Sequence, residues 1–125
     1  MSRYGLVALE AAEIAQKHVD ANIAWTKAAE HQFGKKTSLI KKGCPKGTFL
    51  GLAEDGHIKG IPSGHYTSST KNKAYGLAAL QQLKMSPELA KNKKGLWFQS
   101  CNDQPKVQNN QMDVVIALWE NNLLI

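Results

Sequence analysis

The residues of this chain that could do chemistry gather in one stretch, Lys41 to Asn72, KKGCPKGTFLGLAEDGHIKGIPSGHYTSSTKN. Lys41, Lys42 and Lys46 surround Cys44, and Cys44-Pro45 opens a helix, because proline near the first helical position loses only an amide that had no partner. Free amides and the helix dipole favour an anion at such an end. The same field lowers the pKa of a thiol, so with His57 or His65 as base a cysteine nucleophile is conceivable. The plain alternative is a small residue at a helix start with lysines in solvent. Lys59, Lys71 and Lys73 extend the basic set, and Tyr66 stands beside them where a nucleotide base could stack. The expected anion or nucleic-acid site is therefore Lys41, Lys42, Cys44, Lys46, Lys59, Tyr66, Lys71 and Lys73, with no catalytic residue assigned.

Spacing argues against other chemistries. His57 and His65 are eight apart, which matches neither a helical i, i+4 pair nor a Cys-x-x-Cys pattern, so no metal and no cofactor is expected. Gly60-Ile61-Pro62-Ser63-Gly64 does not centre its serine between glycines two residues away on each side, as a nucleophile elbow does. Gly47 to Gly51 lacks the lysine and hydroxyl of a phosphate-binding P-loop.

The charge supports a polyanion more than a base reader. The chain has 125 residues and a net charge of +6. Residues 35–94 hold twelve lysines against Glu54, Asp55 and Glu88, a local charge of +9, while 1–34 carry −1 and 95–125 carry −2. Fifteen lysines and one arginine offer phosphate contacts but little of the bidentate geometry that reads bases. A helix-turn-helix reader is disfavoured because the third helix would present Glu54 and Asp55 to phosphate. Sequence-nonspecific contact through lysine loops is the easier reading.

The scaffold reads as one all-α domain. Its length suffices for a hydrophobic core, and no run approaches the roughly 20 apolar residues of a membrane span. Glu10 and Glu13 interrupt the N-terminal apolar run, so no secretory signal is expected; the protein reads as cytoplasmic, with Cys44 and Cys101 as reduced thiols. Tyr4, Val7, Ala8, Ala11, Ile14 and Ala15 recur at three and four residues and predict a first helix over 4–17. Asp20 or Asn22 opens a second, with Trp25, Ala28, Ala29 and Phe33 on one face and Gly34 closing it. The third runs from Cys44-Pro45 to Gly56, and its Gly47 and Gly51 predict that another backbone or a ligand packs closely there. Residues 59–70 read as a linker. A fourth helix is expected over 71–85, a fifth from Ser86-Pro87-Glu88 carrying Leu89, Lys93, Leu96 and Trp97, and a sixth from Asn110 carrying Met112, Val115, Ile116, Trp119 and Leu123.

The two halves, 1–58 and 71–125, resemble each other. Tyr4 to Leu9 matches Tyr75 to Leu80, Ala24-Trp25 matches Leu96-Trp97, and Phe49 to Glu54 matches Val115 to Glu120, at offsets of 71, 72 and 66. Six helices in two similar three-helix units about a pseudo-twofold axis follow. In this scheme Lys46 replaces Met112 and Ala53 replaces Trp119, so the third helix is expected to be partly exposed and the sixth to be core. The glycine face of the third helix then offers itself to a protein partner or a second copy.

The block Gly43-Cys-Pro-Lys-Gly-x-Phe-Leu-Gly-Leu and the ending Gln111-Met-Asp-Val-Val-x-Ala-Leu-Trp-Glu-Asn resemble a family of small uncharacterised bacterial proteins classed as a domain of unknown function. The resemblance covers nearly the whole chain. It implies a bacterial or phage-borne cytoplasmic protein and transfers no activity or site residue. A polyanion-binding module, a protein-interaction module and a cysteine enzyme remain the three function classes.

Overall fold

The helix α4, Gly43–Glu54, is the axis of the molecule. In the computed structural model, which describes residues 2–101 and 107–125, it is preceded by α1 (Arg3–Ala15), α2 (Ala21–Phe33) and the four-residue α3 (Thr37–Ile40). It is followed by α5 (Thr70–Met85), a 3-10 turn at Pro87–Lys91, α6 (Lys93–Ser100) and α7 (Gln111–Glu120). Six of these helices have eight residues or more, and the described residues form no strand, so the fold is all-α as expected. Of the polar loop before the last helix, 102–106 lie outside the described residues. Among the described residues no helix is long and apolar enough to cross a membrane.

Local chemistry sets several of the ends. Asp20 accepts from the Asn22 and Ile23 amides at 2.9 and 3.3 Å and caps α2, and Gly34 and Gly56 take the positive φ of 63° and 78° that L side chains avoid. Two expectations change. The fifth helix does not run on from Ser86: a 3-10 turn begins at Pro87, and Asn92 then accepts from the Gly95 amide at 3.0 Å, capping a separate α6. A short polar side chain that competes for backbone donors ends one element and starts another. Asn110 does not cap α7 through its side chain. It adopts a left-handed φ of 71° and donates to the Asp113 carboxylate at 2.8 Å, while Gln108 Oε1 accepts from the Met112 amide.

The larger correction concerns α4. Its residues Gly47 to Ala53 are all buried, with Phe49, Leu52 and Ala53 at 0% exposure, whereas Trp119 on α7 is only half-buried. A helix without a polar stripe belongs in a core. Phe49, Leu50 and Leu52 each contribute about 1.5–3 kcal/mol by burial. The Trp25 and Phe49 rings pack 5.2 Å apart at the centre of this core.

What covers the glycine face is α5 of the same chain. A Cβ built on Gly51 would lie 2.6 Å from Lys73 Cα, and one on Gly47 would lie 3.0 Å from Asn72 Cβ. Gly76 on α5 faces Thr48 and Leu52 in return. The face offered in the sequence to a second copy is therefore filled from within. Thr48, fully buried in this contact, donates its hydroxyl to the Cys44 carbonyl at 2.9 Å.

The linker 59–70 is folded down on the helices. Ile61 is buried, Asn22 Nδ2 donates to the Tyr66 carbonyl at 2.7 Å, and the Gly64 amide donates to the Glu54 carbonyl. The Glu54 carboxylate accepts from the Tyr66 and Thr67 amides at 2.9 and 3.1 Å and from Lys73 Nζ at 2.7 Å. These donors hold Glu54 well below the usual carboxylate range, at about 2, with Lys73 contributing most. Lys73 also reaches Asp55 at 2.8 Å, and its two carboxylate partners, Asp55 first, raise its own pKa.

Packing is reciprocal: α1 lies on α2 and α7, and α5 lies on α6 and α4. Beyond α4 and α7 the chain makes an isolated antiparallel bridge between Ile58 and Leu124. There the Lys59 amide donates to the Leu123 carbonyl at 2.8 Å and the Ile125 amide to the His57 carbonyl at 2.9 Å.

Two measurements follow. Gly51→Ala gains helix propensity but forces two backbones apart, and is expected to cost about 1–3 kcal/mol net, read as a melting temperature lower by roughly 4–10 °C. Gly43→Ala, with open space around its Cβ position, is the control and should leave the melting temperature nearly unchanged. Because the Glu54 pKa is lowered from 4.5 to about 2, its stabilisation is full above the unfolded value and is lost as pH falls through that window. Thermal melts of Glu54→Gln and the parent should differ most near neutrality and approach each other toward pH 2; parallel curves throughout would remove this role.

Candidate nucleic-acid interface

Three helix starts meet at one end of the molecule. Lys42, the residue before α4, donates from Nζ to Asn110 Oδ1 at 2.6 Å, just before α7. Gln111 Nε2 at the start of α7 donates to Asn72 Oδ1 in the first turn of α5 at 3.2 Å, and Asn72 with Ser69 covers Gly47 of α4. Asn110 passes the network to Asp113, a nearly buried carboxylate that takes Lys93 Nζ at 2.7 Å. Lys42 also sits 5.5 Å from the centroid of the Tyr4 ring, a cation–π contact. The Tyr4 hydroxyl donates to the Leu39 carbonyl at 2.7 Å, and burial raises its pKa.

The eight residues singled out in the sequence divide between the two ends of α4. Lys41, Lys42, Cys44 and Lys46 lie at its start, and Lys71, in the α5 turn that covers Gly47, lies beside them. Lys41 and Lys71 are exposed and Lys46 half-exposed, and none has an acceptor among the described residues. Lys42 has its polar partner already, in Asn110. Lys59 belongs to the other end, next to the Ile58 bridge, about 18 Å away along a 12-residue helix. Lys73 is held there by Glu54 and Asp55. Tyr66 donates its hydroxyl to the Pro62 carbonyl at 2.6 Å and is half-buried against the core, so it does not stand free beside the lysines.

Cys44 is half-buried and Cys101 buried, both as free thiols. Neither proposed base is near Cys44. His65 lies 4.0 Å from Glu54, and His57, bonded to the Ile125 carbonyl at 3.1 Å, follows the end of the same helix. Ten residues of helix place these histidines about 15 Å from the first turn. The cysteine–histidine pairing considered from the sequence is therefore not assembled. No three His, Cys, Asp or Glu side chains among the described residues come together as metal ligands do.

The tryptophans are structural. Trp25 is fully buried, Trp97 nearly so with its ring against Tyr75 at 4.9 Å, and Trp119 is half-buried against the core. Trp25 Nε1 is buried without a hydrogen-bond partner among the described residues, a cost of about 1–3 kcal/mol. Sequence reasoning missed Asn72, Lys93, Gln111 and Asp113, whose partners lie 20 to 39 residues away in the chain. Only the Asn110–Asp113 spacing gave a local signal.

Comparison with curated proteins finds no match, and comparison with solved structures finds none. A family model does match, over residues 1–125: the chain belongs to the family described as a family of unknown function, DUF6979.

Proposed function

We propose that this chain is a non-enzymatic binding module for a polyanion such as nucleic acid, engaged at the end where α4, α5 and α7 begin. The observation that carries the reading is the imbalance of charge there. Lys41, Lys46 and Lys71 have no acceptor among the described residues, while the one carboxylate in the first turns of these helices, Asp113, is already paired with Lys93. Amides at the helix starts add partial positive charge of the same sign. Lysines on long stems meet phosphate as point charges, which favours backbone contact without base readout. The reading is of a cytoplasmic protein of bacterial or phage origin, as the Cys-Pro-Lys-Gly block implies.

We also read the chain as two copies of one three-helix unit. Support comes from bonds that repeat at a spacing of 66: His57 to Leu52 and Leu123 to Leu118, Gly56 to Ala53 and Asn122 to Trp119, and the two bonds joining residues 57 and 59 to 123 and 125. Gly56 and Asn122 both have positive φ, 78° and 58°. On this reading the basic end is a departure of the first unit from the second.

Binding to a generic oligonucleotide, followed by fluorescence anisotropy across a salt series, tests the proposal. Affinity is expected to fall linearly in log–log form, and Lys41→Gln/Lys46→Gln/Lys71→Gln together should reduce the slope by about 2–3. Lys59→Gln should leave it unchanged. Absence of binding at low salt, or a slope that the triple variant does not alter, would overturn the assignment.

A further inference from the structure

Among the described residues, lysines meet two kinds of side-chain acceptor. Lys73, Lys91 and Lys93 contact carboxylates, whose negative charge repels the electrons of a nucleophile. Lys42 Nζ instead lies 2.6 Å from Oδ1 of Asn110, a neutral carboxamide whose carbon can be attacked and whose nitrogen can leave as ammonia. A C=O bond is about 1.23 Å long, so Nζ stands at most about 3.8 Å from Asn110 Cγ, close to the roughly 3–3.5 Å of a near-attack pair.

The other end of the carboxamide is held as well. Asn110 Nδ2 donates to Asp113 Oδ2 at 2.8 Å, and Asp113 Oδ1 takes Lys93 Nζ at 2.7 Å. With its oxygen and its nitrogen both fixed, the amide cannot turn Cγ away from Lys42. The Asp113 side chain is 7% exposed, so a carboxylate with little competing water touches the nitrogen that would depart. The Tyr4 ring, 5.5 Å from Lys42 Nζ, stands on a further side of the amine.

From this arrangement we propose that the chain closes an intramolecular isopeptide bond between Lys42 and Asn110. Lys42 releases its ammonium proton to solvent, and the Nζ lone pair attacks Asn110 Cγ; the Nζ–Cγ bond forms while the carbonyl electrons move onto Oδ1. Both nitrogens then sit on one carbon, within reach of the Asp113 carboxylate. Asp113 takes a second proton from Nζ and hands it to Nδ2. The Cγ–Nδ2 bond breaks as the C=O bond re-forms, and ammonia departs. No oxidant or other reactant is consumed. The new bond joins the residues that precede α4 and α7, 68 positions apart, in a chain whose two cysteines are free thiols. Closing so long a loop restricts the unfolded chain and so stabilises the fold. The inference is independent of the polyanion reading, which gives Lys42 no phosphate contact.

Intact-mass spectrometry of the full chain, fresh and after prolonged incubation, tests it. A species lighter by one ammonia is expected, and protease digestion should yield a branched peptide joining Lys42 to Asn110. That species should run faster in a denaturing gel and melt at a higher temperature than the open chain. Lys42→Arg retains a charged donor for Asn110 and for the Tyr4 ring but offers no nucleophilic amine, and should abolish the branched peptide. Asp113→Asn should slow its accumulation on the order of 100-fold; an unchanged rate would take the proton relay away from Asp113. Loss of ammonia that persists in Lys42→Arg, without a branched peptide in the parent, would be succinimide closure at Asn110 and would overturn the inference. Retention of the full sequence mass throughout incubation would overturn it too.

Discussion

The approach of two backbones at Gly51 is the constraint on which the rest of the structure depends. With Lys73 Cα where a Cβ on residue 51 would lie 2.6 Å away, α4 and α5 touch main chain to main chain. No larger residue allows that distance. The contact draws α5 over the small face of α4, leaving α4 enclosed by α5 on one side and by α7 and α2 on the others. It also determines what the connecting segment must do. Because Gly47 and Gly51 meet the first turn of α5 in ascending order, the chain leaving α4 has to return along its flank before α5 can begin.

That return explains the place of Glu54. A segment lying against a helix exposes backbone amides at a half-buried site, where unpaired donors are costly. The carboxylate at the end of α4 takes two of those amides and the ammonium of the helix that follows, so one side chain ties α4, the linker and α5 together. Its depressed pKa is a consequence of that position, not a sign of catalysis: every group that lowers it is a structural donor. The histidine nearby, His65, has a largely exposed side chain and stands 4.0 Å from it.

Features whose cause is local were legible in the sequence. The stripes of α1, α2 and α7, the Asp20 cap and the glycine stops at Gly34 and Gly56 depend on neighbours within a few residues, and the structure has them. Features whose cause is another segment were not. Gly47 and Gly51 correctly announced a close approach, but the identity of the approaching element is a tertiary fact, and so α4 read as partly exposed when its residues Gly47 to Ala53 are all buried. Asn92 shows the opposite failure. The proline and acid at Pro87 and Glu88 signalled a helix start, yet the Asn92 side chain captured the Gly95 amide and moved the α-helix six residues on.

The charge count was misread for the same reason. A local sum of +9 treats lysines as equivalent, but the fold sorts them by what they meet. Lys73 and Lys93 neutralise carboxylates at 2.7 Å, and Lys42 is spent on Asn110 and the Tyr4 ring. Paired charges contribute little field outside the protein, since their own partners screen them. What reaches solvent at the start of α4 is the residue of that sorting, Lys41, Lys46 and Lys71, set where three helix starts come together. The same sorting keeps Asp113 from opposing them: nearly buried in the first turn of α7 and paired with Lys93, it stabilises the junction of α6 and α7 and adds no exposed acid to the basic end among the described residues.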